Sequence, residues 1–209
     1  MVKVVVISDT HNMAQQLDTL PDGDILIHCG DATTRSSLQE VQQFARWFDA
    51  QPHPTKLFVP GNHDWMLTNN QGRGIITTLF KKSRVLIADL IEVNGLTIAG
   101  VALDYDVRNL PKNLDILITH YPPNGILDEI PPGSRFNKTA YSENIGSNVV
   151  LQKVLEVKPA YHFFGHVHEH GMSHRTTEDT IYWNCALLDE HYNLVRKPLV
   201  LDIFPRKKE

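Results

Sequence analysis

The chain has 209 residues, 42% of them hydrophobic and 21% charged, and its formal net charge at pH 7 is −4. This length and composition are typical of one folded domain and argue against extensive disorder, so we expect a single domain over residues 1–209. The negative charge gives no bulk attraction to nucleic acid or to anionic membranes. An anionic substrate would therefore be attracted locally, by metal ions or by a few basic side chains.

The first predicted element is a buried strand over residues 2–8, an apolar β-branched run that ends at Asp9. The run is shorter than a signal-peptide core, and no stretch of the chain approaches the roughly 20 apolar residues needed to span a bilayer. The two cysteines, Cys29 and Cys185, are too few for a disulfide framework and lack a Cys-x-x-Cys spacing. We therefore expect a reduced, cytoplasmic protein with buried thiols and no membrane partner.

Alternating strand and helix patterns follow. Apolar runs predict strands over residues 24–28, 55–59, 116–119 and 161–164. Ser37 and Glu40 form a capping-box pattern that opens a helix, a second helix is predicted around residues 75–80, and Ser147 opens a third that Pro159 stops. The predicted apolar face of that third helix is formed by Val150, Leu151, Val154 and Leu155. Such alternation predicts an α/β fold, in which ligands bind beyond the carboxyl ends of the strands.

More closely spaced strands and one long loop complete the chain. Residues 84–103 predict successive short strands with an Asn94-Gly95 hairpin turn, and the segments TIYWNCAL and PLVLDIF predict further antiparallel strands. The stretch 122–147, rich in Pro, Gly, Ser and Asn, is the longest irregular segment. Loops of that length are often functional.

Polar side chains follow the predicted strands. The clusters are DTH with Asp9 and His11, GD with Asp31, GNHD at residues 61–64, TH with His120, and GHVH with His166 and His168. Taken singly, most have an ordinary explanation, such as a turn cap for Asp9 or a hydrogen-bonded strand-end histidine for His120. The GHVH pair is a stronger signal, because residues two apart on an extended segment point to the same side.

Taken together, these clusters predict a metal site, because a parallel sheet would bring its strand ends to one edge. The set mixes carboxylates, a carboxamide and imidazoles, which suit Mn²⁺, Fe, Zn²⁺ or Ni²⁺ rather than Ca²⁺. It contains too many ligands for one tetrahedral ion. Two divalent transition-metal ions that share a bridging carboxylate fit the number better.

In this order, the five clusters resemble the signature of the calcineurin-like metallophosphoesterase superfamily. The resemblance implies an α/β fold with a two-sheet β-sandwich flanked by helices, four layers in all, and a dimetal site at one end of the sheets. One ion would be bound by Asp9, His11, Asp31 and His168, and the other by Asp31, Asn62, His120 and His166. His63, not a ligand, would face the substrate.

Two finer comparisons bear on the reaction. The segments PDGDILIHCGDAT, ITHYPPNGILDE, ENIG and NCALLDEHYNLVRKPLVLDI are similar to the small metallophosphoesterase-domain-containing proteins, some of which are phosphodiesterases. Phosphoprotein phosphatases resemble this chain in having an arginine four residues after the bridging aspartate, here Arg35, but carry aspartate where this chain has Thr34. That aspartate orients their catalytic histidine, so its absence weakens a protein-phosphatase interpretation.

The predicted function is hydrolysis of small or cyclic-nucleotide-like phosphodiesters, with Mn²⁺ as the first candidate metal. Two ions would activate a bridging hydroxide for in-line attack and would clamp the phosphate oxygens. His63 would protonate the leaving alkoxide, and Asp64 would orient His63 or shape its turn. Asn62 and His63 are predicted substrate contacts together with Arg35, for which a solvated position is an equal alternative.

Other functions have weaker support. A phosphomonoesterase of the same superfamily is the first alternative, whereas a non-catalytic metal-binding scaffold is disfavoured because every signature position is filled. Nucleic acid is disfavoured as a substrate because no basic stripe interleaved with aromatics is visible, and the oligomeric state is open. In the long loop, Arg135 and Lys138 are weaker candidates for phosphate contacts. The other histidines are interpreted as structural near the site (His28), a bystander (His170), or surface and packing residues (His53, His162, His174, His191).

Overall fold

The computed structural model describes residues 1–17, 19–69, 72, 74–103 and 110–206, and two large sheets form its centre. The strands of the first sheet are β1 (Val2–Ile7), β2 (Ile25–His28), β3 (Thr55–Phe58), β4 (Arg84–Val85) and β13 (Leu199–Ile203). Their order is β13-β1-β2-β3-β4. Strands β1 to β4 run parallel, and β13 closes the edge antiparallel to β1.

The second sheet also has a parallel centre. Its strands are β5 (Ala88–Val93), β6 (Leu96–Val101), β7 (Ile116–Thr119), β10 (Tyr161–Phe164), β11 (His174–Thr176) and β12 (Ile181–Asn184), in the order β11-β12-β10-β7-β6-β5. Strands β6, β7, β10 and β12 are parallel, whereas β5 and β11 pair antiparallel at the two edges. A small separate hairpin joins β8 (Glu129–Ile130) to β9 (Glu143–Asn144).

Two helices begin after the predicted caps, Ser37 and Ser147, and a third lies within the predicted residues 75–80, whereas the short helix Trp65–Thr68 was not predicted. They are α1 (Leu38–Ala50), α2 (Trp65–Thr68), α3 (Ile76–Leu79) and α4 (Asn148–Val157), with 3₁₀ turns at Ala14–Gln16, Asn62–Asp64 and His168–His170. The capping box of α1 is confirmed, since the Ser37 side chain accepts from the Glu40 amide while the Glu40 carboxylate accepts from the Ser37 amide at 2.9 Å. The Ser147 hydroxyl likewise caps α4 by accepting from the amide of Val150.

Three apolar clusters hold the layers together. The cluster between the two sheets takes side chains from both, such as Val4 and Ile27 from the first and Ile118 and Phe163 from the second. A second cluster packs α1 on the outer face of the first sheet. A third packs α4 on the outer face of the second sheet. The result is a two-sheet β-sandwich flanked by helices, which confirms the expected α/β fold class.

Some details differ from the predictions made on the sequence. Leu155 is 63% exposed, and the buried face of α4 is completed instead by Val157, because Val150, Val154 and Val157 follow the helical period. The sequence predicts an antiparallel β12, yet this strand runs parallel to β10 and antiparallel only to β11. The helix predicted around residues 75–80 is the single turn α3. The segment 122–147, predicted to be irregular, contains the β8–β9 hairpin.

The arrangement places the carboxyl ends of β1, β2, β3, β7 and β10 at one end of the sandwich. Backbone hydrogen bonds connect the loops there: the Asp9 amide donates to the Gly30 carbonyl at 2.9 Å, and the Gly165 amide donates to the His120 carbonyl at 3.0 Å. The loops of the two sheets meet where the His166 amide donates to the Asp9 carboxylate at 3.0 Å. No helix within the described ranges is long and apolar enough to cross a membrane.

Candidate metal centre

Three groups of nitrogen and oxygen atoms converge where these loops meet. Within the described part of the chain, the groups of His, Cys, Asp or Glu whose ligand atoms all lie within 4.8 Å of one another are Asp9–His11–His168, His11–Asp31–His63 and Asp31–His120–His166. Apart from Asp64, the structure therefore brings together the acidic and histidine residues that the five sequence clusters singled out. Asn62 joins them, because its Oδ1 lies 3.0 Å from Nε2 of His120.

The backbone at this site is strained. Asp9, His11, Asp31 and His166 have φ angles of 52°, 38°, 55° and 71°, in the left-handed region that non-glycine residues seldom adopt. Such strain is typical of functional sites, where the surrounding structure holds it in place. The prediction that His166 and His168 lie on an extended segment is wrong, because His166 is left-handed and His168 begins a 3₁₀ turn. Their rings belong to different groups of ligand atoms.

Two glycines allow the loops to approach this closely. A Cβ atom on Gly61 would overlap the Asp31 carboxylate, and a Cβ atom on Gly165 would overlap the Asp9 carboxylate. The GNHD and GHVH clusters thus need glycine at their first position for a steric reason, since the backbone itself packs against a candidate ligand.

Hydrogen bonds from the outer ring nitrogens orient two of the histidines. Nδ1 of His120 donates to the Cys29 carbonyl at 2.9 Å, and Nδ1 of His168 donates to the Asp189 carbonyl at 2.9 Å. A carbonyl can only accept, so both Nδ1 atoms carry hydrogen, and Nε2 of each ring points to the site, 3.3 Å from Asp31 and Asp9, respectively. Histidines that bind metals are oriented in this way.

The donor set fits divalent cations. His11 is buried, and neither of its ring nitrogens has a hydrogen-bond partner among the described residues, which is costly unless a ligand satisfies them. Asp9 and Asp31 are buried carboxylates, and although burial opposes their ionisation, the surrounding histidines hold the pKa of each below its usual value. Burial disfavours protonation of His120 in turn, yet Asp31 raises its pKa to about 9. Buried carboxylates beside imidazoles form a concentrated N/O site of the kind that transition metals occupy.

His63 lies beside this cluster and is oriented by a group that the sequence did not reveal. Its backbone amide donates to Asp31 Oδ1 at 2.8 Å, and its ring centroid lies 4.9 Å from that of His11. Nδ1 of His63 donates to the Thr34 carbonyl at 2.7 Å, which leaves Nε2 for other contacts. The side chain of Thr34 lacks the carboxylate that orients the catalytic histidine of phosphoprotein phosphatases, but its backbone oxygen orients this ring.

Asp64 is fully buried behind the same loop. Its carboxylate accepts hydrogen bonds from the backbone amides of Thr33 and Gly61, each at 2.9 Å, and from the Thr33 hydroxyl at 2.8 Å. Burial, followed by the negative charge of Asp31, raises the pKa of Asp64 to about 6. These contacts shape the turn, which is one of the two roles expected for Asp64.

A cavity of about 350 Å³ opens over the cluster. Its lining residues are His11, Asp31, Asn62, His63, Ile130, Phe136, Ile145, His166, His168, Glu169 and Tyr192. Sequence reasoning marked the loop 122–147 as functional but did not identify Phe136, Glu169 or Tyr192. The Tyr192 ring lies 4.8 Å from the His11 ring and 5.0 Å from the His168 ring. Tyr192 lies in the segment NCALLDEHYNLVRKPLVLDI, for which the sequence indicated a family resemblance but no role in the site. It reaches the site because the chain after β1 and the segment after β12 meet in the fold.

The basic residues considered for substrate contacts lie at different distances from this cavity. Arg35 is exposed and is not among the described lining residues; its backbone amide donates to the Glu40 carboxylate. Lys138 is bound to its own loop, donating to the Ser134 carbonyl at 2.9 Å. The Arg135 guanidinium lies 5.1 Å from the centroid of the Tyr192 ring, which lines the cavity, but Arg135 itself is not among the described lining residues.

The remaining histidines and the cysteines have structural surroundings. His28 and His162 are fully buried and hydrogen-bonded to threonines, and burial lowers the pKa of each to about 3. His170 belongs to none of the three ligand groups among the described residues. His53 is buried, whereas His174 and His191 are exposed. Cys29 and Cys185 are both buried and free.

Comparisons with known proteins agree with this geometry. A family model described as calcineurin-like phosphoesterase matches residues 2–170. A UPF0046 protein of Caenorhabditis elegans is 31% identical over 235 residues, which cover 99% of this chain and 76% of that protein. Metallophosphoesterase domain-containing protein 1 of Homo sapiens is 28% identical over 240 residues, which cover 96% of this chain and 71% of that protein. The alignment with the crystal structure of TT1561 from Thermus thermophilus covers 96% of this chain and 98% of the TT1561 chain. The TM-score is 0.56 at 11% sequence identity, so the two proteins share the fold.

Proposed function

Because the chain belongs to the calcineurin-like phosphoesterase family, whose members are metal-dependent phosphoester hydrolases, we propose that it is a dimetal phosphodiesterase acting on small diesters such as cyclic nucleotides. The observation that carries the proposal is the presence of Asp31 in two ligand groups at the floor of one cavity. A carboxylate in that position is suited to bridge two ions.

In this proposal, each ion has the ligands that the family signature implies. One ion is bound by Asp9, His11, Asp31 and His168, and the other by Asp31, Asn62, His120 and His166. The position of Asp31 supports the bridge, because its Oδ2 lies 3.7 Å from Nε2 of His11 and 3.3 Å from Nε2 of His120. Mn²⁺ is the proposed metal, and Fe, Zn²⁺ or Ni²⁺ would suit the same donors. When bound, two such ions supply the charge that activates water for in-line attack and neutralises phosphoryl oxygens.

His63 is the proposed proton donor to the leaving oxygen. The Thr34 carbonyl holds Nδ1, so that Nε2 can carry a proton toward a substrate bound over the cluster. Asn62 is a neutral ligand and substrate contact, and Asp64 supports the loop that carries both residues. Arg35 stays a prediction for a substrate contact, and its exposed position assigns it at most an outer role.

A diester is preferred over a monoester for a reason of charge and shape. No lysine or arginine is found among the described residues that line the cavity, whereas Ile130, Phe136, Ile145 and Tyr192 form an apolar part of its wall. A diester carries less negative charge than a monoester dianion and has two organic groups, so it matches such a wall better.

We also propose one domain over residues 1–209 and a cytoplasmic location, the latter because both cysteines are buried and free.

The test is hydrolysis of bis-p-nitrophenyl phosphate beside p-nitrophenyl phosphate by protein stripped of metal and reloaded with Mn²⁺. We expect faster cleavage of the diester, and loss of that cleavage in Asp31→Ala. Asp179→Ala, which removes a carboxylate from an exposed ion pair with Lys158, is the matched control and should keep full activity. Faster cleavage of the monoester would make the protein a phosphatase, and no cleavage with any metal would favour a non-catalytic scaffold.

A further inference from the structure

His28 lies at the end of β2 and is hydrogen-bonded to two of the loops that carry candidate ligands. Its Nδ1 accepts from the Gly30 amide at 3.2 Å, and its Nε2 lies 3.0 Å from the hydroxyl oxygen of Thr10. Gly30 directly precedes Asp31, and Thr10 directly follows Asp9. We propose that His28 is a positioning residue that fixes these two loops relative to each other. The inference rests on the proposed function and assigns a role to a residue that binds neither metal nor substrate.

The two hydrogen bonds determine which nitrogen of the His28 ring carries hydrogen. A backbone amide can only donate, so Nδ1, which accepts from Gly30, carries none. Burial lowers the pKa of His28 to about 3, and the neutral ring therefore has its hydrogen on Nε2. That hydrogen is donated to the Thr10 hydroxyl. The imidazole thus links the loops by offering an acceptor to the one after β2 and a donor to the one after β1.

The surroundings of His28 would suit a hydrocarbon side chain. The residue is fully buried, and the centroid of its ring lies 5.0 Å from that of Phe44 in α1 and 5.4 Å from that of Phe58 in β3, nearly edge-on to both. A polar ring among phenylalanines costs free energy unless its nitrogens are hydrogen-bonded. Packing alone would therefore favour leucine or phenylalanine at this position, whereas only the imidazole supplies hydrogen bonds to both loops.

The two loops need this support because their backbone is strained. Gly30, Asp31 and Asp9 have φ angles of 104°, 55° and 52°. Such conformations persist only where surrounding contacts hold them. The Gly30 carbonyl already accepts from the Asp9 amide at 2.9 Å, and His28 holds the amide on the other side of the same residue. Loss of the ring should therefore let the two proposed ligands, Asp9 and Asp31, move relative to each other.

The experiment measures the affinity of the metal-stripped protein for Mn²⁺ by titration calorimetry. His28→Phe suits the aromatic surroundings but removes both hydrogen bonds, and it should weaken Mn²⁺ binding by about tenfold or more, the usual loss when a group that orients metal ligands is removed. Thr10→Val removes only one of the two hydrogen bonds and should weaken binding less. His53→Phe is the matched control, because His53 is also buried but bonds to the Pro21 carbonyl before β3, at the other end of the sheet. Its affinity should equal that of the wild type.

A double-mutant cycle separates the link from mere packing, and it decides alone if His28→Phe does not fold. His28→Asn keeps an acceptor for the Gly30 amide but is too short to reach Thr10. Adding Thr10→Val to His28→Asn should therefore weaken Mn²⁺ binding no further, because both changes remove the same hydrogen bond. Additive losses, or wild-type affinity in a folded His28→Phe, would overturn the proposal and leave the dimetal centre in place. A wild type that binds no Mn²⁺ would overturn the proposed function as well.

Discussion

Among the residues at the cluster, His63 is the one whose contribution can be separated from metal binding. It contacts Asp31 through its backbone amide, so a change of side chain leaves that hydrogen bond in place. We expect His63→Gln to reduce kcat for diester cleavage by about 100-fold or more, since general acid catalysis typically contributes that much. Metal content measured by elemental analysis should be unchanged. A variant with full activity would refute the role of proton donor.

At this scale, the sequence predicts side chains far better than backbone contacts. Spacing and residue type point to Asp31 and His120, because carboxylates and imidazoles at strand ends indicate metal ligands. The Thr34 carbonyl could not be predicted, because every residue has a carbonyl and only the fold determines which one meets His63. Tyr192 was missed because nothing in its neighbourhood indicates that it contacts His11.

Among the elements, α1 has the clearest stabilising feature. The Glu40 carboxylate completes the capping box with Ser37 and also accepts from the Asn12 side chain at 2.6 Å, which links the start of α1 to the loop after β1. We expect Ser37→Ala to lower the free energy of unfolding by about 1 kcal/mol, the usual loss for a helix cap. Urea denaturation measures this. Gln39→Ala, on an exposed position of α1, is the control and should change stability by less than about 0.5 kcal/mol.

Elements with a strong local signal were predicted well. The strands β7 and β10 have the predicted bounds, and the Asn94-Gly95 turn has the positive φ angles, 52° and 81°, that a tight hairpin needs. The antiparallel pairing predicted for β12 holds only on the side of β11, because an apolar run does not specify the neighbours with which a strand pairs. Leu155 was assigned to the wrong face because four apolar residues in α4 fit a helical face only approximately.

For the molecule as a whole, the buried histidines predict how stability depends on pH. Burial lowers the pKa of His162 to about 3, below the unfolded value of 6.5, so the unfolded chain binds a proton that the folded protein does not. The contribution of neutral His162 to the free energy of unfolding is therefore fully present above pH 6.5 and is lost as the pH falls toward 3. Between pH 7 and pH 5, this histidine should lower the free energy of unfolding by about 2 kcal/mol.

The measurement is urea denaturation at both pH values for the wild type and His162→Gln. The variant should lose less stability on acidification than the wild type, whatever its stability at pH 7. An identical pH dependence for the two proteins would show that His162 does not titrate as its burial implies.

The sandwich explains why the α/β pattern alone could not locate the site. Periodicity predicts the strands but not their division into two sheets, because either arrangement buries the same residues. Asp9 and Asp31 come from the first sheet, and His120 and His168 from the second, so the cluster exists only where the two sheets end together. The family signature supplied this information, since it relates residues that are far apart along the chain.

The most direct test of a dimetal centre is the number of ions bound per chain. After saturation with Mn²⁺ and removal of free metal, elemental analysis of the wild type should give about two ions, because the proposal divides the ligands between two sites that share Asp31. His120→Ala and His168→Ala should each retain about one ion, and Asp31→Ala should lose most of both. A wild type that binds one ion or none, or an Asp31→Ala variant that still binds two, would contradict the account.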